Sequence, residues 1–269
     1  RILPNSDLAL RTIGYSRNEI EGPKVGIEAS FEKELAGKNG KVLKQRLIGG
    51  DWLQINDARS IEAVDGNDVV TTINIELQDV AASALRNQLK KHNADHGCAV
   101  LMEVATGDIK AIANLKLDDD GEYYESYNYA VGESTEPGST FKLPVLMAAM
   151  EDGVADTSDI VDTGNGTVRF YNKVIRDTKE GGYGKLTLKQ VFEKSSNVGT
   201  SKIIYEHYKN NPKAFVDRLY SMRLGEKLNL QIKGEGEPFI RHPEDKLWSG
   251  LSLPMISHGY EVRLTPLQI

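Results

Sequence analysis

Glu136-Pro137-Gly138-Ser139-Thr140-Phe141-Lys142 places a hydroxyl and an amine three residues apart, directly ahead of an apolar run from Leu143 to Met150. Pro137 and Gly138 break the chain, and the run is long enough for a buried helix beginning near Ser139. Residues three apart on a helix share a face, so Lys142 points the same way from the first turn. At the helix N-terminus, unpaired N–H groups and the dipole favour a developing oxyanion. A serine is a poor nucleophile until a base takes its proton. With a pKa of about 10.4, only ~1 lysine in 2,500 is neutral at pH 7. Lowering that pKa to about 7–8 costs roughly 3–5 kcal/mol, which burial against an apolar core supplies and a solvent-facing helix does not.

The same spacing in Ser30-Phe31-Glu32-Lys33 reads differently. It follows Glu28-Ala29 and runs on into Glu34, the grammar of an exposed helix with a serine cap.

The chain has 269 residues, enough for one or two domains with an ample core. Its 33 Lys and Arg against 39 Asp and Glu give a net charge of −6, which argues against a nucleic-acid surface. The single cysteine, Cys98, excludes an intramolecular disulfide framework. No apolar run reaches the ~18 residues of a membrane span, and no signal peptide opens the sequence. Beginning at Arg1 and stopping at Ile269, the chain reads as a fragment whose membrane anchor lies upstream.

Residues 1–65 mix strand-like and helical pieces with turns at Gly22-Pro23, Gly37-Lys38-Asn39-Gly40, Gly49-Gly50 and Asp65-Gly66. Gly26-Ile27-Glu28 opens a short amphipathic helix with Phe31 and Leu35 on one face. The stretch carries no compact catalytic cluster and reads as a pedestal or interaction module. From Val69 to Ile73 the chain is β-branched, and a helix follows with Leu77, Val80, Ala81, Ala84 and Leu89 as its core face. Cys98 to Met102 and Ile109 to Ala113 flank Thr106-Gly107-Asp108 as a β-hairpin. His92, His96 and Cys98 lack a fourth metal ligand nearby, and Asp118-Asp119-Asp120-Gly121-Glu122 lacks the distal glutamate of a calcium loop.

Gly153 ends the Ser139 helix, and residues 154–185 are loop-rich, with short strands around Val168 to Ile175. Thr187-Leu188-Lys189-Gln190 is a capping box. The helix it starts is interrupted at Ser195-Ser196-Asn197 before Val198 to Tyr208 resumes. That connection aims Ser195 and Asn197 into a cleft. Ser16-Arg17-Asn18 and Ser126-Tyr127-Asn128 share the spacing, but only the third copy lies between two helices. Residues 209–246 are charged and Gly-punctuated, and a new helix is expected to begin at Thr265-Pro266-Leu267-Gln268.

Ser139-Thr140-Phe141-Lys142 followed by Ser195-Ser196-Asn197 resembles the penicillin-binding transpeptidases, whose first two motifs are Ser-x-x-Lys and Ser-x-Asn. Gly66 to Ile73, Ala105 to Ile109, Glu136 to Ser139, and Gly259-Tyr260 with Thr265-Pro266-Leu267-Gln268 resemble the class B, monofunctional branch. In the front module, Gly26-Ile27-Glu28 and Leu35 to Gly40 resemble its non-catalytic pedestal.

The resemblance implies an α+β fold of the serine β-lactamase-like type over residues 66–269, preceded by a mixed α/β pedestal at 1–65. The family's third motif, Lys-Thr-Gly or Lys-Ser-Gly, is absent, and Trp248-Ser249-Gly250 lacks the lysine. Because that strand follows the Thr-Pro-Leu-Gln segment in the family, the domain is expected to be C-terminally incomplete.

By the same resemblance, Ser139 is the acylated nucleophile, Lys142 its base, Ser195 a proton relay and Asn197 a substrate anchor. The activity implied is D,D-transpeptidation of D-Ala-D-Ala stem peptides in peptidoglycan, of the division type, with β-lactams as covalent inhibitors. No cofactor and no metal are implied. The resemblance also implies glycosyltransferase and division-machinery partners at residues 1–65, and a place on the extracytoplasmic face of the bacterial membrane. A β-lactamase or β-lactam sensor of the same fold is one alternative, and a non-catalytic cell-wall scaffold is another. Nitrocefin turnover marks the hydrolase.

Overall fold

The structure, a computed structural model, describes residues 8–14, 25–55 and 60–269. The Gly22-Pro23 turn and Ser16-Arg17-Asn18 lie outside the described residues. The chain divides into two compact units, Arg1–Asn128 with Leu230–Gly234, and Tyr129–Asn229 with Glu235–Ile269. Both mix helices with small antiparallel sheets.

Among its described residues the first unit opens with the short helices α1 (Leu10–Ile13), α2 (Gly26–Ser30) and α3 (Glu32–Leu35). The amphipathic helix expected from Gly26 is broken between α2 and α3, because Phe31 leaves the helical region at φ −106°, ψ 27°. Strands β1 (Leu43–Arg46) and β2 (Trp52–Ile55) pair antiparallel, with Leu43 opposite Ile55. After them come α4 (Ile75–His92) and a sheet ordered β3 (His96–Met102), β4 (Ile109–Leu117), β5 (Tyr123–Tyr124). The expected hairpin is β3–β4, closed over Thr106-Gly107-Asp108.

Local grammar delimits α4. Asn74 caps its first turn by accepting from the N–H groups of Glu76 and Leu77, and left-handed Asn93 closes its end after Lys90, Lys91 and His92. Its buried face differs from the one read from periodicity. Gln78, Ala82 and Leu89 are buried, whereas Leu77 and Val80 are 39% and 64% exposed.

The cause is a polar side chain that an apolar count passes over. The fully buried Gln78 amide donates to the Ile112 carbonyl (3.1 Å) and accepts from the Ile112 N–H (2.7 Å), fixing which side of α4 meets β4. Gln78→Leu leaves two buried backbone groups unpaired, an expected loss of about 2–4 kcal/mol in urea unfolding. Val80→Ala, at an exposed position, shifts stability by no more than about 0.5 kcal/mol.

The second unit begins with α5 (Tyr129–Gly132), then a 3₁₀ turn (Gly138–Phe141) running into α6 (Lys142–Glu151). The α-helix therefore starts three residues later than Ser139. Pro144 has no N–H to give the carbonyl of residue 140, so the preceding turn closes in the tighter form. Strand β6 (Ile160–Asp162) pairs with β9 (Lys185–Thr187), and β7 (Thr167–Phe170) with β8 (Lys173–Arg176).

Next, α7 (Leu188–Glu193) starts at the complete Thr187/Gln190 capping box, and α8 (Asn197–Tyr208) follows after a three-residue break. Helix α9 (Pro212–Ser221) lies in the stretch read only as charged, and buries Phe215, Val216 and Leu219. Strand β10 (Phe239–Ile240), α10 (Ser252–Ile256) and β11 (Val262–Arg263) complete the unit, with β10 and β11 paired. Thr265 to Gln268 forms a single turn: the Gln268 N–H donates to the Thr265 carbonyl, and its side chain accepts from the Thr265 N–H, each at 2.9 Å.

The core of this unit gathers Phe141, Val145 and Ala149 with Val191, Ile204 and Phe215. Only one side of α6 takes part. Leu143, Met147 and Met150 are 50%, 47% and 43% exposed, so the apolar run is not buried all round.

Candidate active site

Two breaks in regular structure converge here. The first precedes α6. Gly138, at φ +57°, donates its N–H to the Gly259 carbonyl (3.1 Å), and Thr135 and Leu264 exchange backbone bonds of 3.0 Å each. A Cβ on Gly259 would lie 2.0 Å from the Gly138 carbonyl oxygen, so only glycine permits this approach. Ser139 emerges from the turn exposed, and Lys142, at the first residue of α6, is 1% exposed.

The second break separates α7 from α8. Ser195 is left-handed at φ +53°, a conformation that costs about 1–2 kcal/mol for a non-glycine residue. That kink turns both its carbonyl and its hydroxyl toward Lys142. Ser196 caps α8 by accepting from the Gly199 N–H at 2.9 Å. Asn197 then begins the helix with its side chain half-buried.

Lys142 is the meeting point. Its Nζ lies 3.2 Å from Ser139 Oγ, 2.7 Å from the Ser195 carbonyl, 2.9 Å from Ser195 Oγ and 2.6 Å from Asn197 Oδ1. All four residues singled out from the sequence, Ser139, Lys142, Ser195 and Asn197, are thus brought together. Burial pushes the lysine down from 10.5 to about 8, against the opposing pull of the Asp177 carboxylate. At that value about a tenth of the molecules carry a neutral amine at pH 7.

The neutral form has a definite orientation. The Ser195 carbonyl and Asn197 Oδ1 can only accept, so they take the two N–H groups and leave the nitrogen lone pair for a hydroxyl. The arrangement can take a proton from Ser139 or Ser195 and return it.

Among the described residues, the other copies of the motifs hold no such pairing. Ser30 Oγ donates to the Gly26 carbonyl while Lys33 is exposed, and Asn128 donates to Thr12 Oγ1. Among the described residues no group of three or more His, Cys, Asp or Glu is placed to hold a metal ion. His258 is buried. Burial pushes it down to about 4, and its Nδ1 lies 2.7 Å from the Pro254 carbonyl. Ser201, 3.3 Å from that nitrogen, is fully buried and cannot reach a substrate.

Comparison with known proteins gives concordant matches. Residues 97–269 match the family model described as "Penicillin binding protein transpeptidase domain". The "Peptidoglycan D,D-transpeptidase FtsI" of Escherichia coli K12 is 30% identical over 276 residues, covering 100% of this chain and 45% of that protein. "Probable peptidoglycan D,D-transpeptidase PenA" of Neisseria gonorrhoeae is 26% identical over 275 residues, covering 100% and 46%. The chain therefore spans about half the length of the curated relatives it matches. Penicillin binding protein 3 of Mycobacterium tuberculosis, in its apo form, superposes with a TM-score of 0.75 at 25% identity, covering 98% of this chain and 55% of that one. That protein has also been solved complexed with aztreonam and with ampicillin.

Proposed function

Because this chain belongs to the penicillin-binding protein transpeptidase family, we propose that it forms the acylating half of a peptidoglycan D,D-transpeptidase active site. The fold is that of the family's transpeptidase domain, with mixed helices and strands. The observation that carries the proposal is the buried Lys142 amine, held at once by Ser139 Oγ, Ser195 and Asn197.

Ser139 Oγ attacks the carbonyl of the penultimate D-alanine of a stem peptide while the Lys142 amine takes its proton. A tetrahedral intermediate forms and its C–N bond breaks. The proton passes from Lys142 through the Ser195 hydroxyl to the departing nitrogen, and D-alanine leaves. Asn197 anchors the substrate amide and holds Lys142. The acyl-enzyme is then attacked by an amine of a neighbouring stem, Ser139 recovers its proton, and a cross-link results. A β-lactam enters by the same first step, since its strained amide presents the same carbonyl to Ser139.

The septal role rests on the FtsI-named relatives. Residues 66–269 are read as the transpeptidase domain, and 1–65 as the module that meets glycosyltransferase and division proteins. Among the described residues no helix is long and apolar enough to cross a membrane. Placement on the extracytoplasmic face is assigned to an anchor outside the given residues.

The test is the site of acylation. Incubating the natural protein that carries this chain with a penicillin should add one drug mass, and peptide mapping should place it on Ser139. An adduct on any other serine refutes the nucleophile, and rapid nitrocefin turnover without a persistent adduct favours the hydrolase.

A further inference from the structure

We infer that Asp177 is a positioning residue for acyl transfer, clamping the Ser195-Ser196-Asn197 turn from outside so that its side chains meet Lys142. The inference rests on the reading of Ser139 as nucleophile given above.

Asp177 directly follows β8. Its carboxylate oxygens both lie 3.0 Å from Ser196 Oγ, and Oδ1 also accepts the Val198 N–H at 3.0 Å. Ser196 is fully buried and its hydroxyl already accepts from the Gly199 N–H, so its own proton goes to Asp177. One residue earlier, the Arg176 carbonyl accepts from Asn197 Nδ2 at 2.9 Å. The clamp is itself tethered, since the Asp177 N–H donates to the Gly166 carbonyl at 2.9 Å.

The turn therefore presents two sides. Inward, the Ser195 carbonyl, its hydroxyl and Asn197 Oδ1 face the amine; outward, Ser196 Oγ, Val198 N–H and Asn197 Nδ2 are held by consecutive residues of one strand end. A left-handed serine between two helices persists only where its neighbours over-determine it. The carboxylate also sits at the N-terminus of the twelve-residue α8, where negative charge is favoured.

The Asp177 charge also raises the Lys142 pKa against burial. The other groups facing the amine are the hydroxyls of Ser139 and Ser195 and the Asn197 amide, none titrating near neutrality. His258, nearby, is neutral above about pH 4, and Lys173 acts on His258 together with Lys142.

The experiment measures the second-order acylation rate with a fluorescent penicillin from pH 6 to 9 for the parent, Asp177→Asn and Ser196→Ala. Asp177→Asn should slow acylation about 10- to 100-fold through the misplaced turn. It should also move the acid limb to lower pH, because removing a negative charge disfavours the ammonium. Ser196→Ala keeps the charge, so it should slow acylation with its acid limb in place. A merely structural residue would lower the labelled fraction and the melting temperature but leave the limb where it was; that result, or a parent-like rate and limb in Asp177→Asn, overturns the proposal. Where Asp177→Asn does not fold, Ser196→Ala decides, since a parent-like rate there removes the clamp. Failure of the parent to label at Ser139 overturns the underlying reading, and the clamp with it.

Discussion

Lys142→Met should slow the proposed acylation of Ser139 by about 10²–10⁴-fold, the range supplied by a positioned base. Methionine keeps the length and apolar stem of the side chain and removes the nitrogen that joins Ser139 Oγ, Ser195 and Asn197. Ser195 is exposed, so water can reach the acceptors left behind and the fold should survive.

The pH profile separates loss of a base from simple misplacement. With the amine pushed down to about 8, the parent rate should rise about tenfold per pH unit below that value and level off above it. Lys142→Met should lack this limb. A parent limb that instead climbs steadily toward pH 10 would show an ordinary lysine and sink the assignment.

Stability follows with a definite sign. The folded pKa lies below the unfolded one, so the folded protein carries the full penalty of a buried ammonium below about pH 8. That penalty fades as pH rises through 8 toward 10.5. Between pH 7.5 and 9.5, urea unfolding should show the parent gaining about 2 kcal/mol relative to Lys142→Met.

Gly259→Ala is the second large effect, and it reaches Ser139 through the backbone. Gly259 sits at φ +85°, and an added Cβ would lie 2.0 Å from the Gly138 oxygen and 2.6 Å from its carbonyl carbon. Neither backbone can yield without moving the turn that presents Ser139, since the Gly138 N–H is bonded to the Gly259 carbonyl. A loss of about 3 kcal/mol or more and about 100-fold slower acylation are expected.

Gly121→Ala calibrates the backbone contribution. It has nearly the same φ, +82°, with nothing within 4 Å of the added carbon, so it should lose only about 1 kcal/mol. Should Gly259→Ala match Gly121→Ala in both melting temperature and rate, the close approach has no bearing on the site.

Much of the local structure was legible because its causes are local. The Thr187/Gln190 capping box, the β3–β4 hairpin and the break at Ser195-Ser196-Asn197 each depend on residues within a few positions of one another. Helix α9 was legible and passed over: Asn211 caps it, Pro212 opens it, and Phe215, Val216 and Leu219 share its inner face. The charged residues around that pattern drew the reading to composition instead. The face of α4 was not legible by apolar periodicity, because its register is fixed by a glutamine bonded to a strand 34 positions away.

By itself, then, the sequence determined which four side chains to watch, since a hydroxyl, an amine and a polar turn between helices are properties of short stretches. Only the tertiary structure decided that they meet, through bonds from Lys142 to residues 53 and 55 positions on. It also decided that the amine is buried, which pushes its pKa down to about 8, that Asp177 bonds the turn from behind, and that Gly259 seats Gly138. The physical reason is one of range: caps and turns are written in neighbouring residues, whereas burial and convergence depend on distant segments packing into the same space.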